Sequence, residues 1–110
     1  MSRTDEQLIA DILEASRRLG EIVSEGRSEF DKNWKVQSAA ERQLEIIGIV
    51  ASNLSDEAIQ HRPDLPIREV KAMRNLVSHE YFRVDPDILW NTISNSVPPF
   101  ACSLAAPPDA

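Results

Sequence analysis

The segment Arg74-Asn75-Leu76-Val77-Ser78-His79-Glu80-Tyr81 holds an arginine, an amide, a histidine and the chain's one tyrosine. A histidine with a reference pKa near ~6.5 exchanges protons at neutral pH, so His79 can act as base toward a hydroxyl or as acid toward a departing oxygen. The Arg74 guanidinium can fork onto a phosphate and stabilise negative charge as it grows in a transition state. Asn75 lies one helical turn before His79, on the same helix face, where its amide can orient the imidazole or the phosphate. Arg74 and His79 stand about 140° apart on an ideal helix, so the long arginine arm, or a second copy of the chain, must close the gap. In isolation the spacing is weak: with nine arginines and two histidines, an Arg-x4-His match arises by chance about 0.16 times. A lone match of this kind reads by default as a hydrogen-bonded core histidine and a surface arginine paired near Glu80.

The elements that would carry this segment are helical. Thr4 with Gln7 forms a capping-box pattern, and Leu8, Ile9, Ile12, Leu13, Leu19, Ile22 and Val23 make one apolar stripe that stops at Gly26. Ser28 is expected to cap a short turn around Phe30. Val36, Ala40, Leu44, Ile47 and Val50 then recur at helical spacing up to Leu54, with Gly48 inside, which suggests close approach of a neighbouring helix. Ser55-Asp56-Glu57 predicts the cap of a brief helix, and Arg62-Pro63-Asp64-Leu65-Pro66 a loop that delivers Pro66 to a first-turn position. The motif helix follows, with Ile67, Val70, Met73 and Val77 facing inward as far as about Tyr81. Asp85-Pro86 caps another helix through Ile88, Leu89, Trp90 and Ile93, which Pro98-Pro99 is expected to break or kink. Phe100 and Leu104 supply a last packed turn, and 105–110 reads as a frayed tail after a single domain over 1–104. The sum is an all-α bundle of four to five helices with short connections.

Composition narrows the function classes. The 110 residues, 42% hydrophobic, suffice for one core that buries about two-thirds of the unfolded chain's surface. Cys102 has no second thiol for a disulfide, which fits a reducing, cytoplasmic setting. No stretch reaches the ~20 apolar residues of a membrane span, and no signal-peptide core follows Met1. The net charge of −6 argues against a protein that coats nucleic acid nonspecifically. Between Gln60 and Asp85, however, five basic side chains meet four acidic ones, whereas the remainder carries seven against fourteen. That contrast predicts a localised anion site within an acidic body. Glu41 and Glu45 could chelate a metal at i, i+4, but no histidine joins them at ligand spacing, so a solvated acidic face is expected and no metal or cofactor is called for. His61 reads as exposed and inert. Phe30, Trp34 and Trp90 read as packing residues, and Met73 as core filler.

The stretch from Lys35 to Leu54 ending in Leu44-Glu45-Ile46-Ile47-Gly48, then Arg62-Pro63-Asp64-Leu65-Pro66, then Arg74-Asn75, His79-Glu80-Tyr81-Phe82 and Trp90, resembles the HepT-like HEPN family in order and spacing. The family's Arg-x4-His-x-Tyr motif falls on Arg74, His79 and Tyr81, and Asn75 matches the polar residue that usually follows the arginine. The resemblance implies a HEPN bundle, a homodimer that brings two motifs together, and metal-independent endoribonuclease activity with Arg74 and His79 catalytic and Asn75 supporting. It also implies a toxin of the type VII class. Its partner would be a cognate minimal nucleotidyltransferase antitoxin, MntA-like, that adenylylates Tyr81. RNA carries its own nucleophile in the ribose 2′-hydroxyl, so such a site needs proton transfer and charge stabilisation and no activated water. Two positions depart from the family: Gly48-Ile49 stands where Gly-Glu is common, and Pro66-Ile67 where Pro-Trp is common. The first removes a carboxylate from the expected groove and keeps an alternative in view, a non-catalytic HEPN helper or regulatory subunit of a nucleotidyltransferase. A purely structural helical dimer is the third reading.

Overall fold

The computed structural model describes residues 4–62, 67–75 and 85–106. In chain order the helices are α1 (Asp5–Glu25), α2 (Arg27–Lys32), α3 (Trp34–Ser52), α4 (Asp56–Gln60), α5 (Ile67–Asn75), α6 (Pro86–Asn91) and α7 (Val97–Ala105), and a π-helical segment, Thr92–Ser96, joins the last two. No strand occurs among the described residues, so the all-α class expected from the apolar periodicity holds. None of the described helices is long and apolar enough to cross a membrane.

Helix α1 starts at the predicted capping box: the Gln7 amide N–H donates to Thr4 Oγ1 at 3.2 Å and the Thr4 N–H to Gln7 Oε1 at 3.0 Å. Its buried stripe of Leu8, Ile9, Ile12, Ala15 and Leu19 packs mainly against α3 and α7. The helix stops because Gly26 takes φ 94° and ψ 160°, a conformation open essentially to glycine alone. Ser28 does not cap the next turn. It lies inside α2, whose N-cap is Gly26 with no side-chain cap bond; the reversal at the glycine, and no hydroxyl, sets that helix start. Phe30 on α2 is fully buried and stands 5.1 Å from the Trp90 ring, centroid to centroid, at 53°. Arg27 pairs with Asp31 at 2.7 Å, pairs with Asp87 and lies over the Trp90 ring, which ties α2 to α6.

Asn33 caps α3, accepting from the Lys35 N–H at 3.0 Å while donating to Glu29 at 3.1 Å. Leu44, Ile47 and Gly48 are buried along this helix, and α5 and α1 pack on it. Trp34 departs from the packing role expected of it: as the first residue of α3 it points outward and is 70% exposed. The predicted α4 cap is in place, with Ser55 Oγ accepting from the Ala58 N–H at 3.0 Å and donating to Asp5 Oδ2 at 2.6 Å. The Ser55 N–H reaches the other Asp5 oxygen at 3.1 Å, so the start of α1 holds the junction between α3 and α4.

On α5, Val70 and Met73 face the core as the spacing predicts. The loop reading of Pro63 to Pro66 and the motif-helix residues Leu76 to Tyr81 lie outside the described residues. Asp85 caps α6 through bonds from the Asp87 and Ile88 N–H groups at 3.0 and 3.3 Å. Pro98-Pro99 neither breaks the chain's helical course nor ends it. Proline has no N–H to donate four residues back and its ring crowds that carbonyl, and the helix absorbs the pair by widening: the Val97 N–H donates to the Thr92 carbonyl, five residues back. The Ser94 hydroxyl meanwhile donates to the Trp90 carbonyl at 2.7 Å. Phe100 and Leu104 are thereby kept in the core, and α7 runs through Ala105, one residue into the expected tail.

Candidate functional site

The described part of the motif begins where α5 crosses the end of α3. A helix leaves its last carbonyls without intrahelical partners, and here several of those at the end of α3 have local ones. Ser52 Oγ donates to the Gly48 carbonyl at 2.8 Å and Asn53 Nδ2 to that of Ile49 at 3.0 Å. The backbone N–H groups of Asn53 and Leu54 reach Val50 and Ala51. Arg74 adds two more bonds: its Nε donates to the Ala51 carbonyl at 3.1 Å and one terminal nitrogen to that of Leu54, just past the helix, at 3.2 Å. A cation at a helix C-terminus also meets the negative end of the macrodipole. Arg74 is therefore half-buried and fixed by backbone, in place of the surface ion pair that the isolated motif suggests.

These bonds engage two of the five guanidinium N–H groups. They hold the head at the rim of a cleft of about 270 Å³ between α4 and α5, lined by Asp56, Ile59, Gln60, Val70, Lys71 and Arg74. Lys71 sits three residues before Arg74, so the two cations share one face of α5. Val70 is buried and Ile59 half-buried, which gives the cleft an apolar floor, while Asp56 and Gln60 put a carboxylate and an amide on the opposite wall. A larger depression of about 360 Å³ includes Asp5, Glu6, Glu57, His61 and Arg62. Its three carboxylates against one arginine make it a poor host for a phosphate, so the smaller cleft is the better candidate for an anion.

Asn75, expected from the sequence to support the site, is exposed at the end of α5. His79 and Tyr81 lie outside the described residues, so Arg74 and Asn75 are the motif members with a described place. His61 is exposed at the C-terminal end of α4. Glu45 pairs with Arg42 at 2.5 Å, and no group of three His, Cys, Asp or Glu side chains suited to hold a metal is found among the described residues. Sequence reasoning passed over Gln60, counted Lys71 only among the five basic side chains between Gln60 and Asp85, and read Asp56 only as part of a helix start. The i, i+3 spacing of Lys71 and Arg74 was the available signal, whereas the approach of α4 to α5 depends on tertiary packing.

Comparison with known proteins gives a consistent picture. The sequence profile of the family described as "Ribonuclease HepT-like" matches residues 12–105. A protein of Thermococcus cleftensis named "Probable ribonuclease HepT" is 35% identical over 99 residues, covering 89% of this chain and 90% of its own. Two Methanocaldococcus jannaschii proteins, "Putative RNase MJ0127" and "Putative RNase MJ1380", are 33% identical over 89 residues and 31% over 100 residues; the aligned parts cover 80% and 89% of this chain and 74% and 92% of theirs. No solved structure matches the chain at a comparable level.

Proposed function

Because the chain belongs to the HepT-like ribonuclease family, we propose that it is a metal-independent endoribonuclease and the toxin half of a type VII, HepT/MntA-like toxin–antitoxin pair. The observation that supports this most directly is Arg74 fixed on the carbonyls of Ala51 and Leu54 at the rim of a cleft it shares with Lys71. A guanidinium whose position is set by backbone needs little reorganisation when charge develops on a phosphate beside it. In this reading His79 takes the proton of the ribose 2′-hydroxyl or delivers one to the departing 5′-oxygen, Arg74 stabilises the phosphorane charge, and Asn75 orients the imidazole. The attacking oxygen belongs to the RNA, so the upstream fragment ends in a 2′,3′-cyclic phosphate and the downstream one in a 5′-hydroxyl. Two subunits contribute, since Arg74 and His79 diverge by about 140° on one ideal helix. The setting is the cytoplasm, where a cognate nucleotidyltransferase silences the enzyme by adenylylating Tyr81.

The test is purified protein incubated with total RNA in excess chelator, followed by mass spectrometry of the fragment ends. Cyclic phosphate ends that disappear in His79→Ala are the expected result. Plain 3′-hydroxyl ends would indicate attack by water and overturn the mechanism. One observation favours the non-catalytic helper as second reading: Ile49, at a position where the family commonly carries glutamate, is 45% exposed and offers no carboxylate. Absence of any cleavage by the unmodified protein would select it.

A further inference from the structure

The α4–α5 cleft has polar groups that neither the fold nor the proposed cleavage step employs. Asp56 and Gln60 lie one helical turn apart on α4, so both can project from the same face, and both line the cleft. Elsewhere the described surface carries paired charges, including Arg17 with Glu14 on α1, Arg27 with Asp31 on α2 and Arg42 with Glu45 on α3. Among the described residues, the side chains of Asp56, Gln60 and Lys71 engage in no such pair and no hydrogen bond, although a carboxylate and an ammonium line one small cleft. The floor is apolar, the far rim is cationic, and a volume of about 270 Å³ lies just below the range of sites that hold drug-sized ligands. A single nucleotide fits that description: a flat apolar-faced ring, a polar edge and a phosphate.

The polar wall distinguishes the bases. An ionised carboxylate only accepts hydrogen bonds, through two adjacent oxygens. Guanine alone among the four RNA bases presents two adjacent donors, N1–H and N2–H, on its Watson–Crick edge; adenine, cytosine and uracil each present a single donor group there. The neighbouring guanine O6 is an acceptor, which the Gln60 amide can satisfy as donor. Unpaired RNA bases are commonly read on this edge with their faces against side chains.

We propose that the α4–α5 cleft is a guanine-selective nucleotide subsite, in which Asp56 and Gln60 read the Watson–Crick edge, Ile59 and Val70 meet the ring, and Lys71 and Arg74 take the 3′-phosphate. The proposal rests on the ribonuclease reading for the identity of its ligand and adds to it a base preference at the cut. It makes Asp56 and Gln60 specificity residues, with no part in bond cleavage.

The full-length protein is titrated with the 3′-monophosphates of guanosine, adenosine, cytidine and uridine, and with inorganic phosphate, by heteronuclear NMR. Guanosine 3′-monophosphate is expected to bind about tenfold or more tighter than the other three, the discrimination typical of a bidentate base contact, with shifts at α4 and α5. Asp56→Asn, which keeps the Ser55 cap, is expected to abolish the preference, and Gln60→Glu to weaken it by placing a second carboxylate against O6. Melting curves identify any variant that fails to fold, and the other variant then decides. Equal binding of the four nucleotides, binding no tighter than that of inorganic phosphate, or a guanosine preference unchanged in a folded variant overturns the proposal. The two readings fail separately: RNA cut with indifference to base sinks the subsite alone, whereas selective guanosine binding without any RNA cleavage sinks the ribonuclease reading alone.

Discussion

Arg74 Nε lies 3.1 Å from the carbonyl oxygen of Ala51, twenty-three residues earlier in the chain, so a residue of the motif helix also closes the end of α3. The first prediction follows from that contact. Arg74→Ala should lose RNA cleavage and also about 1–3 kcal/mol of stability, the range for carbonyls left without a charged donor. Leu44→Ala, at a position 1% exposed, should cost more, about 2–5 kcal/mol, while its residual folded fraction still cleaves. Urea titrations beside cleavage assays separate the two. An Arg74→Ala protein as stable as the wild type would show that the helix-end bonds contribute nothing.

Gly26 provides a test of backbone strain free of crowding. A Cβ built there meets nothing within 4 Å, yet φ 94° with ψ 160° is a region where other residues cost about 1–3 kcal/mol. Gly26→Ala is expected to lower stability by that amount, read as a lowered urea midpoint with an unchanged slope. Gly20→Ala, in the middle of α1 and equally open, should instead be neutral or stabilising, since alanine is the better helix former. If both substitutions stabilise, the turn at Gly26 is not strained for other residues.

Acid should weaken the clamp between Asp5 and Ser55. The two hydrogen bonds from Ser55 hold the Asp5 carboxyl below its ordinary value of 3.8, with Arg62 adding a smaller pull. A carboxyl depressed on folding stabilises the native state above its unfolded pKa, and the contribution fades as pH falls through the folded value. Wild type should therefore exceed Asp5→Asn in stability at pH 7, by no more than about 1 kcal/mol for so exposed a pair, and the difference should be smaller at pH 2, below the ordinary carboxyl value. Thermal melts at the two pH values settle it; a gap that widens on acidification would have the wrong sign.

Tyr81 is expected to be the regulatory position. Co-expression with a cognate nucleotidyltransferase should add mass to the wild type in units of AMP and leave Tyr81→Phe unmodified. An AMP diester set beside Arg74 would compete with the RNA phosphate, and its nucleoside would obstruct the groove. Modification of Tyr81→Phe to the same extent would place the acceptor elsewhere.

Most of the fold is legible in local chemistry. Thr4 with Gln7, Ser55 and Asp85 each announce a helix start because a short polar side chain beside an apolar stripe has one good use there, and Leu44 and Ile47 fall on the buried face that their spacing gives. Where the chain turns out differently, the cause is tertiary or conformational. Ser28 has the chemistry of a cap, but Gly26 reverses the backbone two residues earlier. Pro98-Pro99 ordinarily ends a helix, yet the packing of Phe100 and Leu104 keeps the helix going through a widened turn. For the candidate site, the identity of Arg74 was readable and its anchorage was not, since the Ala51 and Leu54 carbonyls meet it only through packing of α5 on α3. That Lys71, Gln60 and Asp56 line one cleft is not readable for the same reason: their meeting depends on how two helices approach, which no local spacing encodes.

The two tryptophans sit in opposite surroundings, and that makes the protein its own optical reporter. Trp34 stands in solvent at the start of α3, whereas Trp90 leans on the buried Phe30 ring beneath Arg27. Emission from Trp34 should be red-shifted and open to collisional quenchers such as acrylamide, with Trp90 shielded. Trp34→Phe would leave a chromophore that follows unfolding of the α2–α6 contact, and Trp90→Phe one that responds to whatever settles on the outer end of α3. Binding and denaturation can thus be followed by fluorescence in the same sample without a label.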